Sequence, residues 1–393
     1  MNKYVLTYPV FTSIIRLKEE YHNMKKAIIM PGKYIQGDGV LSELGAYVKM
    51  LGTKPAINWD KRTKEAVEGV FKTSFKEAGV EYFENVYSGE CTKAQAEELY
   101  SKAKKAGCDV IVGVGGGKSI DTAKAAAAMG KLPLLVVPTI ASNDAPTSCC
   151  TVWYNDEGEC LGFDFWPSNP NIVLVDTSVI VKAPVRFLIA GIGDALATYP
   201  EALAAYKSRA GSCAGGVPTL TSINLAKLCF DLLLEYGIEA ISAVEKQVVT
   251  PAVEKIVEAT TLLSGIGWES GGLACAHAIA NYLPVIHETH EFLHGEKVAF
   301  GLISQLCLEE DYSTEEIYRI VDFMIDVKLP VCFKDLKMQD VSIDRLREFG
   351  KIAAASDSFI HNHNFKVTAD SVTDAMIAAS ALGLRRKALK GIK

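Results

Sequence analysis

Four of the chain's seven histidines fall within eighteen residues: His277, His287, His290 and His294. Imidazoles gathered this closely suit metal coordination or proton transfer. His290-Glu291-Phe292-Leu293-His294 matches H-E-x-x-H, in which two imidazoles one helical turn apart bind zinc beside a glutamate base. That chemistry needs one unbroken helix through both histidines. Pro284 lies six residues upstream of His290 and Gly295 follows His294 at once, with no third-ligand pattern beyond. A protease is therefore disfavoured. A set of ligands drawn from different helices fits better. A-C-A-H-A-I-A places His277 on a small-residue helix, and H-G-E-K-V-A-F-G opens another helix at His294. The third ligand is expected from an acid in an apolar segment, where an unpaired carboxylate would be costly. G-I-G-D-A-L-A-T-Y offers Asp194. Two histidines and one aspartate suit a catalytic zinc or ferrous iron with a position left open for substrate. His290 is expected beside the metal or the substrate, and is not the first choice of ligand.

A second constellation lies at Asp109–Ser148. An apolar run, Val110 to Val114, breaks into Gly115, Gly116 and Gly117. An alanine-rich helix follows, then a second apolar run, Leu132 to Val137, and a polar cluster, Thr139 to Ser148. This is strand, glycine turn, helix, strand and polar loop, as in a parallel sheet buried on both faces. Two familiar labels fail on spacing. A P-loop would need glycine at Val112, and a G-x-G-x-x-G turn would need it at Lys118 or Ile120. Three glycines before a helix start, with Ser119 and Asp121 in its first turn, still suit close backbone approach to a pyrophosphate. Asp60 ends an earlier strand, K-P-A-I-N-W-D. A carboxylate there can bridge two ribose hydroxyls, which favours NAD over NADP.

The elements that must position these groups alternate first and then do not. Strands are expected at K-K-A-I-I-M-P, at 54–60, 80–86, 110–114 and 132–137, and at P-N-I-V-L-V-D-T. Gly37-Asp38-Gly39 marks a turn, and helices are expected at 41–51, 61–78, 92–106 and 119–129. Residues 149–166 read as a hairpin around Asn155–Gly158. After Ala183 helical periodicity runs to the end. The expected fold class is thus an α/β domain with a parallel sheet, residues 24–182, followed by an all-α domain, residues 183–393. Residues 1–23 carry an apolar part interrupted by Pro9 and no small-residue cleavage site. They read as a poorly ordered extension or a misplaced start rather than a signal peptide.

The 393 residues are ordinary in composition, 49% hydrophobic and 22% charged, with a net charge of −6. There is no basic footprint for nucleic acid. No apolar run approaches the length of a membrane span. Ten cysteines without a C-x-x-C pair favour a reduced, cytoplasmic protein over a disulfide scaffold.

Five blocks occur in one order: G-V-G-G-G-K-S-I-D-T-A-K, P-T-I-A-S-N-D-A-P-T-S, G-I-G-D-A-L-A-T-Y, the His277 helix and H-G-E-K-V-A-F-G. In this the chain resembles the glycerol dehydrogenases of the iron-containing (group III) alcohol dehydrogenase superfamily, from Met24 to the C-terminus. The resemblance implies a dinucleotide-binding domain, a helical domain of the dehydroquinate synthase-like architecture, and a site in the cleft between them. It implies that Asp194, His277 and His294 hold zinc and that Asp144 binds the glycerol end of the substrate. It implies that Asp60, Gly117, Lys118, Ser119, Asp121, Thr139, Ser142, Ser148, Cys150 and Tyr154 line NAD, with Gly115 and Gly116 beside them. Cys149 and Cys150 stand where smaller or aliphatic side chains are expected, which suggests sensitivity to oxidation. The implied reaction takes glycerol, or a related 1,2-diol, and NAD to dihydroxyacetone and NADH. The metal would serve as Lewis acid and NAD as hydride acceptor. A homo-oligomer, often an octamer, is the family's habit. Three rivals stay open. They are a dehydrogenase for another alcohol or for glycerol 1-phosphate, a lyase of the dehydroquinate synthase type, and a non-catalytic NAD-binding protein. The phosphate-handling rivals want clustered Lys and Arg, which the motifs lack.

Overall fold

The computed structural model describes residues 24–156 and 158–392. The extension expected at 1–23 lies outside the described residues. The apolar segment after Met24 does not become a sheet strand. It makes one isolated bridge, Lys26 to Val217, and leaves Ile28 and Met30 more than a third exposed. The first strand, β1, is Lys33–Gly37. It is a short, mixed-polarity segment whose sheet partner is β8, Ile172–Asp176.

Between them the alternation holds. β2 is Pro55–Asp60, β3 Phe83–Tyr87, β4 Val110–Gly115 and β5 Leu134–Pro138. The helices are α1 Leu44–Lys49, α2 Lys61–Ala78, α3 Lys93–Lys105 and α4 Gly117–Gly130. All pairings in the six-stranded sheet are parallel, in the order β1-β8-β5-β4-β2-β3. Alternate side chains of each strand serve opposite cores. Val110, Val112 and Val114 of β4 join Trp59, Phe71 and Phe75 on the face covered by α2. Ile111 joins Leu99, Ile120 and Ala123 on the face covered by α3 and α4. Each large side chain buried this way contributes about 1.5–3 kcal/mol. The alanines of α4 allow close approach. A Cβ on Gly113 would lie 2.6 Å from that of Ala123.

Strand order reverses between β2 and β4. The chain leaves β2 for a helix on one face and leaves β4 for a helix on the other. Doubly wound sheets bind ligands at such a switch point, beyond the carboxyl ends of the strands. Asp60 and Gly115 are those ends.

β6, Cys150–Tyr154, and β7, Cys160–Phe165, pair antiparallel as the expected hairpin. After α5, Thr177–Ile180, the chain is helical. The helices used below are α6 Val185–Ser208, α7 Leu220–Val244, α8 Pro251–Glu258, α9 Ser264–Gly271, α10 Cys275–Tyr282 and α11 His294–Leu308. A parallel sheet region followed by a helical region is thus the fold class.

Compactness divides the described chain differently from the strand-to-helix change at 182/183. One unit holds residues 29–195 and 231–265; the other holds 24–28, 196–230 and 266–392. Asp231–Gly265 belongs with the sheet because its polar groups are used there. Gln36 Nε2 donates to Glu254 Oε2 at 2.6 Å, Thr177 Oγ1 donates to Glu254 Oε1 at 2.7 Å, and Tyr34 meets Thr261 Oγ1 at 2.7 Å. A helical pattern cannot say which core its apolar face will enter.

Candidate metal centre and dinucleotide cradle

The glycine turn owes its shape to the absence of side chains. Gly115 has φ +132°, and a Cβ there would stand 3.3 Å from Thr63 Oγ1 and 3.6 Å from Asp60 Oδ2. A Cβ on Gly116 would lie 2.9 Å from Ile140, and one on Gly117 3.2 Å from the Asn143 amide. The backbone therefore lies tight between the end of β2 and the loop after β5. α4 starts at Gly117 with Gly116 as its N-cap and no side-chain cap. With no side-chain cap, the first turn of this fourteen-residue helix could receive an anion on its N–H groups. Asp60 caps α2. Its Oδ1 accepts from Thr63 N at 2.9 Å and its Oδ2 from Thr63 Oγ1 at 2.7 Å. Each oxygen keeps a second lone pair for a ribose hydroxyl.

Two residues expected to line the dinucleotide turn their side chains inward. Ser119 Oγ donates to Val114 O at 2.9 Å and accepts from Asn58 Nδ2 at 3.2 Å. Asp121 is buried. It takes Lys124 Nζ at 3.0 Å and Val152 N–H at 3.0 Å. Burial pushes its carboxyl above the usual range, against the pull of Lys124 and the Val152 N–H. Lys124 was invisible as a site residue in the alanine-rich helix. Its ammonium, fully enclosed, also reaches Ser148 Oγ at 3.2 Å and Cys150 O at 2.8 Å. A buried lysine must be paired. This one ties the glycine helix to the loop after β5. The D-x-x-K spacing of Asp121 and Lys124 was the available signal. Lys118 points outward, 2.5 Å from Glu90 and over the Tyr154 ring. Burial holds the Tyr154 hydroxyl well above its ordinary pKa.

The loop itself is held at both ends. Thr139 N–H donates to Gly115 O at 3.1 Å. Ala141 and Ser142 lie against α6 at Gly191, where a Cβ would meet Ala141 O at 2.1 Å. Asp144 begins a short 3-10 turn, Ala145–Thr147. A π-helical turn, Ala259–Leu263, brings two further anchors. Thr147 Oγ1 donates to Thr261 O at 2.7 Å, and Ser264 Oγ donates to Asp144 Oδ2 at 2.5 Å. Ser264 was not legible either, since nothing local ties it to Asp144. Cys149 and Cys150 are both buried, 3% and 6% exposed.

Asp194, His277 and His294 each offer one ligand atom, all within 4.8 Å of one another. Ligands of a four-coordinate ion at about 2.1 Å stand roughly 3.4 Å apart, so small rotations would close this group on a metal. Asp194 is 2% exposed and His277 8% exposed, while His294 is exposed. His277 and His294 ring centroids are 5.4 Å apart. His277 Nδ1 is engaged by Glu201, so Nε2 is the ring atom that could face a metal. Two nitrogens and an oxygen on a partly open group fit zinc or ferrous iron. The H-E-x-x-H helix does not form. His287–Thr289 is a 3-10 turn, α11 begins only at His294, and His290 Nε2 binds Pro284 O at 2.6 Å. Glu201 is the residue that sequence reasoning missed at this centre. It stands seven positions after Asp194 in an otherwise apolar helix, A-T-Y-P-E-A-L-A-A, and so on the same side.

Among the described residues no helix is long and apolar enough to cross a membrane. The family "Iron-containing alcohol dehydrogenase" matches residues 31–177. The glycerol dehydrogenase of Pseudomonas putida is 45% identical over 360 residues, covering 92% of this chain and 98% of that protein. The glycerol dehydrogenase of Escherichia coli is 43% identical over 362 residues, with coverages of 92% and 98%. The crystal structure of glycerol dehydrogenase from Schizosaccharomyces pombe superposes with a TM-score of 0.90 at 36% identity, covering 94% of each chain. The likeness thus spans both the sheet region and the helical region.

Proposed function

Because the chain belongs to the iron-containing alcohol dehydrogenase family and is an oxidoreductase of it, we propose that it oxidises glycerol to dihydroxyacetone. NAD is the proposed hydride acceptor and a divalent metal, zinc before ferrous iron, the proposed Lewis acid. The observation that carries the reading is the convergence of Asp194, His277 and His294 within 4.8 Å, with His277 turned by a buried carboxylate.

When bound, zinc supplies Lewis acidity that makes a hydroxyl easier to deprotonate, and the nicotinamide supplies an empty orbital for hydride. The chain's own groups do the placing. The Gly115–Gly117 backbone and the start of α4 hold the pyrophosphate. Asp60 accepts from the ribose hydroxyls and disfavours a 2′-phosphate. Lys118, Thr139, Ser142, Ser148 and Tyr154 line the rest of the cofactor, and Cys150 does so through its backbone. Ser119 and Asp121 act from within, by fixing α4. Asp144, steadied by Ser264, accepts a hydrogen bond from a glycerol hydroxyl. A carboxylate there repels a phosphorylated substrate. Positioning of this kind can be worth about 7–11 kcal/mol of barrier. The proposal extends to a symmetric homo-octamer in the reducing cytoplasm, a setting that suits ten cysteines without a C-x-x-C pair.

A panel of 1,2-diols, 2-hydroxy acids and glycerol 1-phosphate, with NAD and with NADP, tests this. Glycerol with NAD should give the highest kcat/KM, and NADP should be at least about tenfold poorer, the effect of roughly 1.4 kcal/mol. Chelation should abolish the rate and zinc should restore it. Turnover of glycerol 1-phosphate but not glycerol would overturn the substrate.

A further inference from the structure

Three helices carry the three ligands, and two side chains tie them at one place. α10, which bears His277, begins with Ala274 as its N-cap, a residue with no side chain to cap it. Its first-turn donors are satisfied from elsewhere. Glu201 Oε1, from α6, accepts from Ala274 N–H and His277 N–H, both at 2.8 Å. Gln305 Oε1, from α11, accepts from Ala276 N–H at 3.0 Å, and its amide nitrogen donates to Glu309 at 3.0 Å. Glu201 Oε2 meets His277 Nδ1. Glu201 is fully buried, so each of these partners replaces water.

We propose that Glu201 is a positioning residue for the metal centre, holding the His277 ring as the Nδ1–H tautomer while it caps α10. This rests on the reading of His277 as a ligand. The chemistry is direct. A neutral imidazole carries one N–H, and a carboxylate at Nδ1 draws that proton there. The lone pair is then at Nε2, the atom left to the metal, and its basicity is raised. The same carboxylate fixes the ring's rotation, because its other oxygen is pinned by two backbone donors. A cap alone would need only one acceptor oxygen. The second oxygen, aimed at Nδ1, is what a helix cap does not require.

Glu201→Gln separates the two roles. Its amide oxygen can keep both backbone bonds, but its NH2 group then faces Nδ1 and favours the proton on Nε2. Histidine 15N NMR on chelated full-length protein should place the His277 proton on Nδ1 in the parent and on Nε2 in E201Q. Zinc affinity, measured by competition with a chromophoric chelator, should fall about 10–100-fold in E201Q. A parent His277 protonated on Nε2 overturns the proposal, and so does an E201Q protein with the parent's tautomer or the parent's zinc affinity. If the parent itself takes up no zinc, the ligand reading fails, while the tautomer still decides what Glu201 does to the ring. The parent's tautomer decides the matter even if E201Q fails to fold.

Discussion

Replacing His277 with alanine is expected to abolish binding of the proposed metal and to lower kcat/KM for glycerol by about a thousandfold or more. The size follows from the role. Lewis-acid stabilisation is worth several kcal/mol, and each 1.36 kcal/mol is a factor of ten. Asp194 and His294 alone would leave a two-ligand site, too poor to hold a catalytic ion. The substitution also removes the Nδ1 partner of Glu201, a carboxylate with no exposed surface. Leaving that oxygen unsatisfied costs about 1–3 kcal/mol. A modest fall in thermal stability should therefore accompany the loss. Metal content by elemental analysis, steady-state rates and thermal unfolding on one preparation measure all three. Parent-like rates in H277A, measured in metal-free buffer, would remove His277 from the chemistry.

The second large effect is expected at a residue that touches no ligand. Gly301, on α11, faces Ala276 on α10, and a Cβ at 301 would stand 2.3 Å from the Ala276 carbonyl oxygen. Both atoms belong to rigid helical backbone, so Gly301→Ala must push the helices apart by roughly an ångström before contact becomes ordinary. Overpacking of this kind costs about 1–3 kcal/mol. The displacement falls between His277, one residue after Ala276, and His294, which opens α11. Misplacement on that scale can cost about a hundredfold in rate. G301A should thus lose both thermal stability and kcat/KM, with zinc affinity falling in step. Gly69→Ala is the comparison. It lies in the exposed interior of α2 with nothing within 4 Å of the added methyl. It should keep full activity and gain up to about 1 kcal/mol of stability. Equal effects of the two substitutions would refute the helix-spacing argument.

Much of the frame was legible because the pattern is local. α2 is Lys61–Ala78 as its 3.6-residue period predicts, and β4 is the apolar run before the glycines. The β6–β7 hairpin follows from two β-rich runs around Asn155–Gly158. β1 was not legible. K-K-A-I-I-M-P has strand composition, yet K-Y-I-Q-G takes the ladder position, because Tyr34 and Gln36 find hydrogen-bond partners more than two hundred residues away. The histidine cluster and Asp194 stood out by type and setting. Gln305 and Ser264 did not, since each acts through a contact that only the folded chain creates, while Lys124 and Glu201 carried only a spacing signal, three residues after Asp121 and seven after Asp194. At the glycine turn it is backbone, not side chains, that faces the space between the end of β2 and the loop after β5. Ser119 and Asp121, read as cofactor residues, have side chains spent on fixing α4.

The most direct test is a zinc titration of the chelated protein, followed by NADH absorbance with saturating glycerol and NAD. The rate should begin near zero, rise in proportion to zinc and break sharply at one equivalent per chain, and Asp194→Ala should abolish the rise. Glycerol-dependent NADH formation at the full rate before any zinc is added would contradict a metal held by Asp194, His277 and His294.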